Sequence, residues 1–181
     1  LGYAELVAGA IQAEGIHDHA AVQTAQSRYI DIAKNEVAVR GMSMPHSPRW
    51  HAGALWVLNS GAGELCRIDP ATGARDVVCT LAGYTRGLAF AGDYAIVGLC
   101  KIRERHIFGG LPVQERFPSL RCAVVLVDLR SGEEAGAVEF TAGCHELYDT
   151  LFIPGPRRPM ILNAEREASR QAFTSPEFAY W

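Results

Sequence analysis

The chain repeats a short β-strand pattern at a fixed distance, and this internal repeat limits its possible folds more than any other feature. An apolar stretch, an Ala-Gly pair and a β-rich run occur around Gly53 and again around Gly92, 39 positions later (92 − 53). A strand that ends in Asp before a turn that ends in Gly occurs at Asp69 and again at Asp128, 59 positions later (128 − 69). The larger second spacing predicts an insertion of about 20 residues between 101 and 120.

Each repeat divides into four short strands separated by turn residues. The predicted strands are 49–51, 55–59, 64–69 and 74–81 in the first unit, and 87–91, 94–99, 121–128 and 135–140 in the second. Val, Ile, Leu, Trp and Tyr favour these strands, and the Gly and Pro between them favour tight turns. Strands joined by such short turns are antiparallel neighbours. A four-stranded meander that recurs about every 40 residues indicates a β-propeller blade.

Partial units flank the two complete ones. A preceding hairpin is predicted at 28–32 and 36–40, and a third unit is predicted to begin at 147–153 and return at 160–163. The strands amount to about three blades, whereas a closed propeller has roughly four to eight. We therefore expect an all-β, β-propeller-like fold that is incomplete: a fragment, a ring closed by dimerisation, or an open row of strands. Exposed strand edges would favour a homo-oligomer.

The two ends of the chain lack the strand pattern. Apolar residues at helix-like spacing predict a short N-terminal helix at about 3–14, ended by Gly15. Residues 1–25 are expected to form a helical or irregular segment and residues 26–163 the β-repeat domain. Residues 164–181 are expected to form a tail that packs on the body or on a partner.

The composition argues against several classes of function. The 181 residues are 49% hydrophobic and 20% charged, with a net charge of −3. No basic field attracts nucleic acid or an anionic membrane surface, and no apolar run reaches the roughly 20 residues that span a bilayer. The first residues lack the basic and apolar regions of a secretory signal. These features predict a globular protein that binds neither nucleic acid nor membrane.

The cysteines indicate a reducing environment. Five of them are spread along the chain, and no Cys-x-x-Cys pair occurs. Their odd number and wide spacing argue against a zinc knuckle, and most of them lie in apolar, strand-like stretches. We therefore expect buried, reduced thiols and a cytoplasmic location.

Several longer motifs carry a resemblance to a known family. Residues 41–51 read Gly-Met-Ser-Met-Pro-His-Ser-Pro-Arg-Trp-His, and further motifs are Leu-Trp-Val-Leu-Asn-Ser-Gly at 55–61, Thr-Arg-Gly-Leu-Ala-Phe at 85–90, Phe-Gly-Gly-Leu-Pro at 108–112, Glu-Leu-Tyr-Asp at 146–149 and Arg-Pro at 158–159. Their order resembles a bacterial family, linked with tetratricopeptide-repeat proteins, that is classified as a domain of unknown function. The resemblance covers roughly residues 28–160. It implies a propeller-like fold and a chain corresponding to the C-terminal part of a longer protein, and it implies no reaction.

A candidate site follows from the repeat. In a propeller the first strand of each blade lines the central channel, and ligands bind at a channel mouth near the strand starts. Counting back six residues from Gly53, Gly92 and Gly155 gives three equivalent polar positions, Ser47, Arg86 and Asp149. The predicted ligand-binding residues at this mouth are His46, Ser47, Arg49, Arg86, Glu146, Tyr148 and Asp149.

The first functional hypothesis is a binding or interaction module for a small polar or anionic ligand or a peptide. Arg49 and Arg86 would clamp a carboxylate or phosphate, and Glu146 and Asp149 would accept hydrogen bonds or act as a base. The competing structural interpretation is an ion pair between Arg86 and Glu146 or Asp149. No nucleophile elbow, phosphate-binding loop or dinucleotide fingerprint is present, so the catalytic residues and cofactors stay unknown.

Two further hypotheses stay open. A metal-dependent, lactonase-like hydrolase or lyase would use His46, His145, Glu146 and Asp149, although adjacent His145 and Glu146 would point to opposite faces of a regular strand. A structural assembly piece would pair its edge strands between chains. The insertion is expected to be a solvated loop, with a lid over the channel or a contact with a partner as alternatives.

Overall fold

The computed structural model describes residues 27–31, 36–69, 71–102, 110–156, 173–174 and 179–180. A hairpin of β1 (Ser27–Asp31) and β2 (Glu36–Met42) comes first. The first sheet contains β3 (Pro45–His51), β4 (Ala54–Asn59), β5 (Glu64–Ile68) and β6 (Arg75–Thr80). The second contains β7 (Tyr84–Ala91), β8 (Tyr94–Cys100), β9 (Ala123–Asp128) and β10 (Glu134–Glu139). The remaining elements are helix α1 (Pro112–Arg116) and the short pair β11 (Phe173–Thr174) and β12 (Ala179–Tyr180).

Both four-stranded sheets are antiparallel meanders in which the strands lie in chain order. Every strand predicted for the two complete units overlaps an observed strand. The largest difference is at β3, which begins at Pro45, four residues before the predicted start. The predicted all-β fold of repeated four-stranded units is therefore confirmed.

The repeated Asp-to-Gly turns are also confirmed. The carbonyl of Asp69 accepts a hydrogen bond from the Gly73 amide at 2.8 Å, and the carbonyl of Asp128 accepts one from Gly132 at 2.8 Å. The two glycines have φ values of 72° and 74°, in the left-handed region that favours glycine. The Asp69 carboxylate also accepts a hydrogen bond from Thr72 Oγ1 at 2.8 Å. The same turn chemistry therefore ends the third strand of each sheet.

The first sheet is buried on both faces, because the side chains of β4 alternate between two apolar clusters. Leu55 and Val57 pack with Val39 and Met42 of β2. Trp56 and Leu58 point the other way, toward the second sheet. Their partners there are Leu88, Ala95, Val97, Leu99, Ala123, Val125 and Val127. The hairpin, the first sheet and the second sheet are thus stacked in chain order, as neighbouring blades would be.

The insertion packs on the body, so the expected solvated loop is wrong for its described part. Leu111 and Val113 are fully buried and cluster with Tyr84 and Cys100, at the start of β7 and the end of β8. This part of the insertion, residues 110–120, therefore covers the strand starts where the candidate site was predicted. Residues 103–109 lie outside the described part.

A chain of hydrogen bonds, buried except at Arg116, connects the insertion to the segment before β3. Arg116 Nη1 donates to Glu64 Oε1 at 2.6 Å, and Asn59 Nδ2 donates to Glu64 Oε2 at 2.6 Å. The amide of Ser43 in turn donates to Asn59 Oδ1 at 2.6 Å. Glu64 is buried, and these partners satisfy both of its oxygens, as a buried carboxylate requires.

The predicted third unit is wrong at 147–153, where no strand forms. Instead, residues 144–150, which we call the crossing segment, run across the second sheet. Thr150 Oγ1 donates a hydrogen bond to the carbonyl of Ile96 at 3.1 Å. The predicted helix at 3–14 and return strand at 160–163 lie outside the described residues. Within the described residues, no helix is long and apolar enough to cross a membrane.

One buried hydroxyl leads to a stability prediction. Thr85 is fully buried in β7, and its Oγ1 has no hydrogen-bond partner in the described part of the chain. Because an unsatisfied buried hydroxyl costs about 1–3 kcal/mol, we expect the isosteric change Thr85→Val to raise the free energy of unfolding by about 1 kcal/mol. Urea denaturation measures this.

Thr80→Val, on an exposed residue of β6, is the matched control and should change stability by less than about 0.5 kcal/mol. Thr85→Ala should lower stability, because it also removes a buried methyl group. A loss of stability in Thr85→Val would show that the hydroxyl makes a bond that the fold needs.

Candidate functional site

The innermost strands β3 and β7 carry the same irregularity at the same position. Pro45 pairs with Asn59 in the first sheet. Both residues of this pair have their equivalents 40 positions later, where Thr85 pairs with Leu99 in the second sheet (85 − 45 and 99 − 59). In both strands the register then shifts by one residue, which is a β-bulge. The two units are therefore related by 40 residues, one more than the spacing of the turn glycines.

Ser47 and Gly87 are equivalent residues of the two bulges, and they touch. Their φ values are 53° and 84°, and Ser47 Oγ accepts a hydrogen bond from the Gly87 amide at 3.0 Å. A left-handed backbone costs a residue such as Ser47 roughly 1–3 kcal/mol, so the surrounding contacts must hold it. By the same relation Arg86 matches His46. The predicted equivalence of Arg86 with Ser47 is therefore wrong by one residue.

The crossing segment reaches the same place from the other side of β7. A side-chain carbon on Gly87 would lie 2.5 Å from Thr150 N and 2.7 Å from Asp149 Cα, so only glycine allows this approach. Near the start of the crossing segment, the carbonyl of His145 accepts a hydrogen bond from the amide of Lys101, which follows β8, at 2.8 Å. The structure thus brings together the three chain regions that the repeat predicted to converge.

Arg49 and Asp149 form an ion pair across this junction. Arg49 Nη2 lies 3.2 and 3.3 Å from the two carboxylate oxygens of Asp149. Their side chains are 40% and 53% exposed, and an exposed pair of this kind contributes only about 0–1 kcal/mol. The structural ion pair predicted for Arg86 is thus made by Arg49 instead.

Arg86 is half-buried and differs from Arg49 in its partners. Its Cζ lies 4.4 Å from the centre of the Tyr148 ring, a cation–π contact. Within the described residues, no carboxylate lies at ion-pair distance from its guanidinium. Burial raises the pKa of the nearby Cys100 thiol, and the charge of Arg86 opposes this shift while that of Glu146 adds to it.

His46 lies in a polar cluster beside Arg86. Its Nδ1 is 2.8 Å from the Met44 carbonyl, 3.1 Å from Ser60 Oγ and 3.2 Å from the Tyr84 hydroxyl. Burial lowers the pKa of His46; the charge of Arg86 adds to this effect, and the hydrogen bond to Met44 opposes it. Because a carbonyl can only accept, Nδ1 carries the proton of the neutral ring and Nε2 holds the free lone pair.

The other predicted residues are more exposed. Glu146 is exposed, and Tyr148 is 80% exposed although its ring contacts Arg86. The proposed metal ligands His46, His145, Glu146 and Asp149 do not form a ligand set. Among the described residues, no group of three or more His, Cys, Asp or Glu side chains could hold a metal ion.

Sequence reasoning missed two members of the polar cluster, Tyr84 and Ser60. Ser60 looked like an ordinary turn residue, and Tyr84 lies two residues before the predicted site residue Arg86. The 40-residue relation makes Tyr84 the equivalent of Met44 (84 − 44), at the entry of the neighbouring innermost strand. The register needed for that step was not visible from the glycine spacing.

The lowered pKa of His46 predicts a pH-dependent stability. The unfolded chain takes up a proton near the ordinary value of 6.5, whereas the folded chain resists it to lower pH. The stabilising contribution of neutral His46 is therefore fully present above pH 6.5 and declines as the pH falls toward the folded pKa. Urea denaturation at pH 7.5 and 5.5 should show a smaller loss of stability for His46→Gln than for the wild type. An equal loss in both proteins, or an NMR titration of the His46 ring at or above 6.5, would contradict this.

The solved structures similar to this chain include two computationally designed proteins, each 12% identical over 72% of this chain. The Ika4 protein has 69% of its chain covered and a TM-score of 0.44, and the Ika8 protein has 35% covered and a TM-score of 0.42. Both likenesses are too distant to bear on function.

No curated protein matches the chain. A family described as a domain of unknown function, DUF4915, matches residues 14–162, most of the chain and both complete sheets. The chain therefore belongs to the DUF4915 family, a domain of unknown function.

Proposed function

We propose that this protein binds a small anionic ligand, with a carboxylate or phosphate group, at Arg86. The site lies where β3, β7 and the crossing segment meet. The observation that carries the proposal is the half-buried Arg86, whose guanidinium has no carboxylate partner among the described residues. A ligand that supplies the missing negative charge would complete the site.

The other arginines at comparable positions support this interpretation. Arg49 and Arg121 are half-buried as Arg86 is. Arg49 pairs with Asp149, and Arg121 pairs with Glu134 and Glu139. Removing charge from water is costly unless a partner compensates it. The fold thus gives its other partly buried arginines a carboxylate, and Arg86 is the exception within the described part.

The neighbours of Arg86 also suit ligand binding. The Tyr148 ring covers one face of the guanidinium but takes none of its N–H donors, which can still form a two-pronged bond with an anion. His46 is held neutral and offers Nε2 as an acceptor. A ligand that carries a hydroxyl or amine beside its acidic group would fit both residues.

The remaining hypotheses gain no comparable support. No described cluster of metal ligands favours the lactonase-like hydrolase or lyase. A peptide ligand, a homo-oligomer paired through strand edges and a cytoplasmic location stay predictions. We therefore keep the binding module as the function and assign no catalytic residue.

Binding can be tested with inorganic phosphate and succinate as probe anions, each against sodium chloride at matched ionic strength. A free anion about tenfold above its Kd should stabilise the fold by about 1.4 kcal/mol and raise the melting temperature by about 3–6 °C. Arg86→Ala should abolish this shift, and Arg86→Lys should keep part of it.

Arg67→Ala is the matched control, because Arg67 is exposed on β5 and pairs with Asp76 away from the site. It should keep the full shift. An equal shift in the wild type and Arg86→Ala would place anion binding elsewhere. No shift with either probe at about 20 mM, a concentration well above the Kd values of specific sites, would overturn the proposal.

A further inference from the structure

Cys122 and Cys144 have their sulfur atoms in contact, although they lie on different elements. Cys122 is buried directly before β9, and Cys144 is half-exposed at the start of the crossing segment. The thiol of Cys122 points to Cys144 Sγ at 3.7 Å, and the thiol of Cys144 donates to the carbonyl of Glu146 at 3.4 Å. The two residues are therefore close enough to react with each other after a small movement.

The other three cysteines are placed differently. Cys66 is buried in the core between β2 and the first sheet, and Cys79 lies half-buried on β6. Cys100 both donates to and accepts from the backbone of Leu147, at 3.2 and 3.1 Å. All five cysteines are described and all are free thiols, and the contact between Cys122 and Cys144 distinguishes that pair.

We propose that Cys122 and Cys144 form a reversible disulfide by exchange with a low-molecular-weight disulfide such as oxidised glutathione. The thiolate of Cys144 attacks one sulfur of the small disulfide, whose S–S bond breaks and releases one small thiolate. The thiolate of Cys122 then attacks Cys144 Sγ and releases the second. Two protein thiols are oxidised, one small disulfide is reduced to two thiols, and the two thiol protons pass to the released thiolates.

The order of the two steps follows from exposure and charge. Of these two cysteines only Cys144 is accessible to a molecule of the size of glutathione, because Cys122 is fully buried. Burial raises the pKa of Cys122 to about 11, the hydrogen bond and charge of Cys144 and the charge of Cys100 add to this, and Lys101 opposes it. The closure step should therefore accelerate about tenfold per pH unit between 7 and 9, because the Cys122 thiolate fraction rises by that factor.

Closure requires the sulfurs to approach from 3.7 Å to the roughly 2.0 Å of a disulfide. Cys122 is held by the sheet, since its carbonyl accepts a hydrogen bond from the Phe140 amide at 2.8 Å. The crossing segment has no strand ladder and is the side that can move. The bond would tie Cys144 to the sheet, five residues before Asp149 (149 − 144), and so restrain the segment that contacts β7 at Gly87.

The test uses the full chain, incubated with oxidised glutathione at pH 8, followed by alkylation and peptide mass spectrometry. We expect a peptide that links Cys122 to Cys144 and loses two hydrogens. Cys122→Ser should stop at a glutathione adduct on Cys144, and Cys144→Ser should form neither species. The matched control Cys79→Ser should close as the wild type does. The oxidised protein should melt at a higher temperature and exchange the Leu147 amide more slowly.

Three results would overturn the proposal. These are a bridge from Cys144 to Cys100 in the wild type, loss of two hydrogens in Cys122→Ser, and adducts on other cysteines without any link between Cys122 and Cys144. Each outcome is independent of anion binding, because the readout is the covalent bond. A failure of the proposal for Arg86 would leave this one intact, and the reverse also holds.

Discussion

The burial of the first sheet on both faces is the constraint on which the rest of the structure depends. The side chains of β4 alternate, so that Leu55 and Val57 face the hairpin while Trp56 and Leu58 face the second sheet. Each such apolar side chain contributes about 1.5–3 kcal/mol when fully buried, and a one-residue slip would exchange the two faces. The stacking therefore fixes the register of the sheets, and with it which residues of β3 and β7 lie side by side.

This fixed register explains why the two bulges meet. Ser47 and Gly87 lie at equivalent positions of adjacent innermost strands, and a single hydrogen bond joins them. The left-handed backbone of Ser47 is unfavourable in isolation, and Met44 has the same conformation three residues earlier. The bonds of Ser43 to Asn59 and Gly61 hold the entry to this segment. Residues 43–48, which include the two prolines of β3, thus form a tight structural corner. This corner also places His46 beside Arg86.

Much of the fold could be predicted from the sequence, because strand runs and turn residues are local signals. The strands of both sheets and the Asp-to-Gly turns followed from that chemistry. The residue-by-residue equivalence of the two sheets did not follow, because the two glycines that align the repeats hold different places in their turns. Gly53 is the second central residue of its turn, and Gly92 is the first of its turn. The prediction of a third unit was wrong for a different reason. Residues 147–153 have the apolar pattern of a strand, but a strand also needs a neighbour to pair with, and local pattern does not supply one.

The candidate site shows the same division between local and long-range information. Polar residues near the strand starts were visible in the sequence, including His46, Arg49 and Arg86. Which arginine pairs with Asp149 depends on the path of the crossing segment, and no spacing rule gives that path. Arg49 pairs with the Asp149 carboxylate in contact with solvent, where the ion pair contributes little to stability. Arg86 lies against an aromatic ring and has no carboxylate partner among the described residues, so its charge is left for an added anion. The difference between these two arginines therefore lies in their partners, and it is the physical basis for proposing a ligand at Arg86.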